Sequence, residues 1–151
     1  LQVSDAVHWC SCLLLVLETG GVPVIRVGIQ PTAEMAQSKA VVAGPLDPSL
    51  RHRVESFIYL ALLHNALRQS ALSGHEIRLR VPPADLSHLR GLNNENIREL
   101  ERRWRMRVRV RIDASLPPRS FALGGGDPII REAKHLFLIL HNSHAGGTLG
   151  A

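Results

Sequence analysis

Cysteine and long apolar runs are scarce in this chain of 151 residues. Its two cysteines, Cys10 and Cys12, cannot form a disulfide framework or a metal site that needs three or four thiolates. The sequence has neither a run of about 18 apolar residues nor a basic segment that leads into an apolar one at its start. We therefore expect a soluble cytoplasmic protein without a membrane partner.

Lysine is also scarce, so arginine carries almost all of the positive charge: Lys39 and Lys134 are the only lysines. The formal net charge is +5. Between Glu76 and Ile112 the chain has ten arginines and five acidic residues, and this excess equals the entire net charge. Because a basic surface favours an anionic partner, this part of the chain is where we expect one to bind.

The first part of the chain has the pattern of a helix followed by a strand. Ser4 is suited to a helix N-cap, and the apolar stretch that follows ends at Gly20. Residues 22–29 are rich in β-branched side chains and apolar at nearly consecutive positions, which is typical of a strand covered on both faces in a parallel sheet. Such a strand needs neighbours, and we expect them upstream in a longer parent chain.

The middle of the chain predicts a long helix and then a β-α-α-β unit. Apolar residues recur every three or four positions over 49–72, as in a helix with a broad buried face. Two strands, over 77–81 and 107–112, alternate apolar residues with arginines, so each has an apolar face and a guanidinium face. Between them the sequence predicts a short helix over 83–89 and a second helix that ends near Trp104.

The last part of the chain is rich in residues that form loops. Prolines at 117 and 118 and glycines at 124–126 interrupt it. The stretch over 129–142 fits one amphipathic helix, although its Leu-Phe-Leu-Ile-Leu run suits a strand equally well. We expect the residues after it to be frayed.

One motif, His8-x-Cys10-x-Cys12, brings histidine and cysteine together. On a helix these positions spread over about 200°, so the three side chains cannot converge on one ion. We expect small buried thiols in an apolar helix instead. His141 and His144 form an i, i+3 pair that could hold a metal weakly or, at an exposed helix end, hold nothing. We predict no metal site.

The carboxyl end of the strand predicted over 22–29 is one candidate binding site. Parallel α/β folds bind ligands where strands end, because backbone groups and loop side chains are unpaired there. Gly28, Gln30, Pro31 and Thr32 occupy this position. An ordinary transition from strand to loop accounts for the same residues.

The guanidinium side of the two arginine-rich strands is the second candidate site. Its residues are Arg78, Arg80, Arg107, Arg109 and Arg111. A basic sheet face with a glycine-bearing turn between two helices is typical of a KH-like module that holds single-stranded RNA, and tRNA would be one such partner. The turn here is Gly91-Leu92-Asn93-Asn94 rather than G-x-x-G. Alternatively, the arginines keep an exposed strand soluble or pair with acidic residues of a neighbouring domain.

Short motifs in order along the chain carry a resemblance to a known family. The first group is Val24-Ile25-Arg26-Val27-Gly28-Ile29-Gln30-Pro31-Thr32, Val41-Val42-Ala43-Gly44-Pro45, Asp47-Pro48 and Val54-Glu55-Ser56. The second group is Asp85-Leu86-Ser87, Gly91 and Asn96-Ile97 with Leu100. From about residue 4 to residue 116 the chain resembles the part after the catalytic half of Elongator-catalytic-subunit-like radical S-adenosylmethionine proteins, which are related to oxygen-independent coproporphyrinogen oxidase-like enzymes.

This resemblance implies a fragment of an enzyme. The family has a partial (β/α) barrel whose Cys-x-x-x-Cys-x-x-Cys loop holds a [4Fe–4S] cluster and leaves one iron for S-adenosylmethionine. This chain lacks that loop, so we expect it to hold no cofactor alone, to be inactive alone and to have the missing N-terminal half as its partner. Gly28, Gln30, Pro31 and Thr32 would then lie at the barrel rim near S-adenosylmethionine.

The predicted fold class is therefore α/β, in four parts. Residues 1–47 are the last α/β unit of a partial barrel, and 48–75 form a connecting helix. Residues 76–116 form a small β-α-α-β, KH-like C-terminal domain, and 117–151 form a loop with a terminal helix or a disordered tail.

Overall fold

The computed structural model describes residues 2–29, 32, 46–70 and 74–142. Over these residues the chain is a mixed α/β fold, which confirms the predicted class. The helices are α1 (Val3–Thr19), α2 (Leu50–Gln69), α3 (Leu86–Arg90), α4 (Glu95–Trp104) and α5 (Leu136–Asn142). The strands are β1 (Glu76–Val81), β2 (Arg107–Ile112), β3 (Ser120–Leu123) and β4 (Ile129–Ile130). None of the helices in the described ranges is both long and apolar enough to cross a membrane.

The strands form one mixed sheet in the order β2-β1-β3-β4. The parallel strands β1 and β2 are joined by α3 and α4, whereas β3 is antiparallel to β1 and β4 is antiparallel to β3. Ile77, Leu79 and Val81 are at most 1% exposed, which confirms the predicted alternation of β1. Since side chains alternate between the two faces of a strand, Arg78 and Arg80 lie on the face away from the core.

The core lies between the apolar face of this sheet and the helices. Leu14 of α1, Ile58 of α2, Leu79 of β1, Leu100 of α4 and Phe121 of β3 are each at most 2% exposed and belong to one continuous cluster. The long predicted helix is confirmed as α2, which contacts α1, α3, α4 and α5. Its predicted end near residue 73 lies outside the described residues.

The sequence predicts a loop where β3 forms, and it predicts the start of a longer helix where β4 forms. Both strands are short, and prolines and glycines flank them, so their pattern is too brief to be distinguished from a loop. Phe121 nonetheless has no exposed surface and packs against Tyr59 of α2, with 6.3 Å between ring centroids. Burial of this ring stabilises β3 beside β1. The stretch over 129–142 is β4 followed by α5 rather than a single element, and residues 143–151 lie outside the described residues.

The buried strand that was predicted over 22–29 does not form in this structure. These residues form no regular strand, and Val22, Ile25 and Ile29 are 50%, 93% and 62% exposed. A strand is stable only when its backbone groups pair laterally, and no described strand lies beside this segment. Instead, Arg51 Nη1 donates to the carbonyls of Val24 and Ile25 at 2.9 and 3.3 Å.

A buried network of charges ties α1, α2 and the residue after β4 together. Arg131 donates from Nη2 to Glu18 Oε1 at 2.9 Å and from Nη1 to Glu55 Oε2. The three side chains are only 3%, 7% and 5% exposed, respectively. Their positions are 37 and 76 residues apart in sequence, so this network belongs to the tertiary structure alone.

A hydrogen bond between His64 and Trp104 joins α2 to α4. Trp104 Nε1 donates to His64 Nδ1 at 3.2 Å, and the two rings stack with 6.5 Å between centroids. Burial, and then the positive charge of Arg103, lower the pKa of His64 to about 4. The imidazole is therefore neutral near pH 7, as an acceptor nitrogen must be.

We expect His64 to make the fold less stable as the pH falls from 6.5 to 4. In this window the unfolded imidazole, with a pKa near 6.5, binds a proton that the folded one does not. Proton binding therefore stabilises the unfolded state relative to the folded state. Urea unfolding across this range measures the slope of the free energy of unfolding against pH. His64→Asn, whose side-chain oxygen can accept the same hydrogen bond, should have a shallower slope, and an identical slope in both proteins would contradict the assignment.

Candidate nucleic-acid interface

Pairing of β1 with β2 gathers the five candidate arginines on one face of the sheet. In the parallel register Arg78 is opposite Arg109, Arg80 is opposite Arg111, and Glu76 is opposite Arg107. Residues that pair across strands share a face. We call this surface, made of Arg78, Arg80, Arg107, Arg109 and Arg111, the arginine face. It follows from burial of Ile77, Leu79 and Val81 of β1 on the other side, where Val108 and Val110 of β2 are half-buried and Ile112 is 60% exposed.

Arg78 and Arg109 share one carboxylate. Arg78 Nε lies 2.9 Å from Glu76 Oε1, and Arg109 Nε lies 3.3 Å from Glu76 Oε2. The hydrogen bond from Arg78, and then that from Arg109, hold the pKa of Glu76 below its usual range. The two arginine side chains are 77% and 66% exposed. Since exposed ion pairs are weak, another anion can compete with Glu76 for both guanidinium groups.

Arg80 differs from the other four arginines because its guanidinium group binds other parts of the same chain. It donates from Nη1 to Asp113 Oδ2 at 2.8 Å, from Nε to the Gly124 carbonyl at 2.7 Å and from Nη2 to the Gly126 carbonyl at 2.7 Å. Hydrogen bonds from Ser115, and then the one from Arg80, lower the pKa of Asp113. Arg80 therefore holds the turn between β3 and β4 in place and is less available to a ligand than the other four arginines.

Arg107 and Arg111 are exposed and lie within 4 Å of no acidic side chain that the structure describes. Arg111 lines a groove of about 750 Å³ together with Arg78, Arg80 and Arg109, and Gly124 and Gly125 of the β3–β4 turn also border it. Set against the carboxylates of Glu76 and Asp113, the five guanidinium groups leave an excess of three positive charges. The arrangement suits a chain of phosphates that contacts several arginines at once.

The turn between α3 and α4 has a backbone that favours glycine. Gly91 adopts φ 73° and ψ 173°, and Asn93 and Asn94 follow with φ of 50° and 60°. Asn96 Nδ2 donates to the carbonyls of Ser56 and Leu89 at 2.9 and 3.1 Å, which attaches the turn to α2. The shape of this turn therefore serves the packing of the two helices, and it does so whether or not a ligand binds there.

The other candidate site is not assembled in the described residues. Gly28 and Thr32 are exposed, and the strand that was predicted to position them does not form. Gln30 and Pro31 lie outside the described residues. The site therefore rests on sequence alone.

Cys10 and Cys12 lie on α1, half-buried and buried. Burial raises the pKa of both thiols, so they are protonated near neutral pH. Among the residues that the structure describes, no three histidine, cysteine or acidic side chains come together as a metal site. His144, half of the predicted histidine pair, lies outside them.

The arginine face is thus the described feature with the clearest chemistry. The chain matches no protein-family model, no curated protein and no solved structure.

Proposed function

We propose that this protein binds single-stranded RNA through the arginine face. The observation that supports this is the register of β1 and β2, which aligns arginines on one exposed surface. Neighbouring arginines lie about 6.6 Å apart along a strand and about 4.8 Å apart across strands, so an RNA backbone that crosses the face meets several guanidinium groups. Each of the four guanidinium groups other than that of Arg80 can donate two hydrogen bonds to one phosphate.

The bases contribute little to this mode of binding. Trp104 is held by His64 on the core side of the sheet, so it offers no stacking surface on the arginine face. Affinity then comes from phosphate contacts and depends little on sequence. The β-α-α-β order of residues 76–112 is that of a KH-like module, for which tRNA and other RNAs with single-stranded ends are suitable partners.

The test is the affinity for a fluorescently labelled uridine 12-mer at 50 and 200 mM salt. Three or four phosphate contacts, each contributing about 0.7 to the logarithmic salt slope, predict a roughly 20- to 50-fold loss of affinity between the two conditions. Fluorescence anisotropy measures it. Absence of binding at 50 mM salt, or an affinity that salt leaves unchanged, would contradict the proposal.

We propose, as a second function, that the chain is the C-terminal portion of a radical S-adenosylmethionine protein. The exposed apolar side chains of Val22, Ile25 and Ile29 favour it, because a strand inside a parallel sheet buries such residues once neighbouring strands are present. The cysteines do not fit a [4Fe–4S] cluster, since there are only two and Cys12 is buried in α1. The cluster would belong to another part of a longer protein.

The genomic sequence upstream of the codon for Leu1 tests this second proposal. We expect the reading frame to continue upstream and to encode a Cys-x-x-x-Cys-x-x-Cys loop. A stop codon immediately upstream, or an upstream segment without that loop, would refute it. RNA binding is independent of this result, because a radical enzyme that modifies tRNA would also need a basic surface.

A further inference from the structure

We infer that the outer edge of β2 accepts an extended acidic segment of a partner protein as an additional strand. β2 lies at one end of the sheet, and the described residues provide no strand on its outer side. An open edge of this kind presents unpaired N–H and C=O groups, which are the recognition elements of strand addition. The inference goes beyond RNA binding because it uses the backbone of β2 rather than its guanidinium groups alone.

The hydrogen bonds of β2 identify the groups that face outward. Arg107 N donates to the His75 carbonyl and Asp113 N donates to the Val81 carbonyl, both at 2.9 Å. Backbone groups alternate along a strand, so 107, 109, 111 and 113 face β1, and Val108, Val110 and Ile112 face outward. Glu101 Oε1 accepts from Val108 N at 3.0 Å. A carboxylate thus covers the first outward N–H, and those of Val110 and Ile112 lie beyond it.

The two sides of this edge differ in chemistry. One side is the arginine face, with Arg107, Arg109 and Arg111. The other is a groove of about 450 Å³ between α4 and β2, which is lined by the apolar Ile97, Val108 and Val110, the exposed Arg90 and Arg98, and the polar Asn94 and Glu101. An added strand would direct alternate side chains to the two sides. Acidic residues would face the arginines, and apolar residues would enter the groove.

Charge selects the partner. A second copy of β2 on this edge would bring two rows of arginines together, which is destabilising. An acidic strand meets opposite charge on the arginine face and at Arg90 and Arg98. The occupant is therefore a different protein with an alternating acidic and apolar segment.

The probe for this inference is the labelled peptide acetyl-Asp-Val-Asp-Val-Asp-Val-Asp-amide. We expect it to bind the full chain at 50 mM salt. Two further peptides carry N-methyl groups, one on every valine and one on every aspartate. In strand pairing only one of these sets of N–H groups faces β2, so the two methylated peptides should differ in affinity by about tenfold, as the loss of two hydrogen bonds predicts. Equal affinities of the two, or no binding of the unmethylated peptide, would overturn the inference.

Val110→Pro tests the protein side. Proline removes the outward N–H of Val110 while the N–H groups of Arg109 and Arg111 that face β1 remain, and edge strands tolerate proline. We expect about a tenfold loss of peptide affinity and an unchanged affinity for the uridine 12-mer. Equal losses for both ligands would point to damage of the arginine face and would count against strand addition.

Amide hydrogen exchange in the unaltered protein provides a test that does not depend on the folding of a variant. Peptide binding should slow exchange of Val110 and Ile112, and unchanged exchange at both amides would overturn the inference. If the peptide slows hydrogen exchange at these amides while the uridine 12-mer fails to bind, strand addition is supported and RNA binding is refuted. The two proposals can therefore fail separately.

Discussion

Replacement of Arg131 by methionine is expected to lower the free energy of unfolding by about 3–5 kcal/mol. The guanidinium lies between the carboxylates of Glu18 and Glu55, and all three side chains are at most 7% exposed. Methionine fills similar space but has no charge, so each buried carboxylate loses its nearest cation and keeps only a more exposed arginine, Arg119 at 3.4 Å from Glu18 and Arg51 at 3.5 Å from Glu55. Removal of the most deeply buried member of such a network is costly because the remaining charges are poorly solvated and lose their strongest hydrogen bonds. Urea unfolding at neutral pH measures the loss.

Arg119 offers a matched control for this variant. Its Nη2 lies 3.4 Å from the same Glu18 oxygen, but its side chain is 50% exposed. Arg119→Met should therefore cost less than about 1 kcal/mol. Changing Glu18 and Glu55 to glutamine in the Arg131→Met background removes the buried charges together and should restore part of the stability. If Arg131→Met costs no more than Arg119→Met, the buried network does not stabilise the fold.

Replacement of Arg107, Arg109 and Arg111 by glutamine is expected to weaken binding of the uridine 12-mer about 100-fold at 50 mM salt. Each lost guanidinium–phosphate contact removes about 1 kcal/mol, and the logarithmic salt slope should decrease by about 2. The three side chains are exposed, so the midpoint of urea unfolding should stay the same. Arg80 is left unchanged because it holds the β3–β4 turn.

The control for this triple variant removes the same charge from elsewhere. Arg68, Arg102 and Arg103 are exposed and lie on α2 and α4, away from the arginine face. Glutamine at these three positions should leave the affinity within about threefold of the original, because long-range attraction between exposed charges is largely screened by salt. Equal losses in the two triple variants would show that net charge, and not the arginine face, binds RNA.

The local sequence pattern was sufficient to predict secondary structure where that structure depends on the side chains of one element alone. The alternation over 77–81 and the spacing of apolar residues along α2 each bury one side of an element, so their secondary structure could be predicted. The same argument failed over 22–29, because consecutive apolar residues form a strand only when other strands lie beside them. It also missed β3, where Phe121 is buried by α2, which is distant in sequence.

The candidate site was predictable in part for the same reason. That arginines share one face of each strand follows from a period of two, but their assembly into one surface depends on the parallel pairing of β1 with β2. The sequence did not reveal that Arg80 would be occupied by two carbonyls and Asp113. Glycines 124 and 126 lie more than 40 residues from it along the chain, and no local pattern relates them.

The sequence by itself determined the α/β class, the two arginine-rich strands and the concentration of positive charge between Glu76 and Ile112, because periodicity and composition are local properties of the chain. Only the tertiary structure decided which arginines are free to meet a ligand, which edge of the sheet is open, and that Glu18, Glu55 and Arg131 form a buried network. Each of these depends on contacts between residues far apart in sequence, and such contacts arise when the core packs.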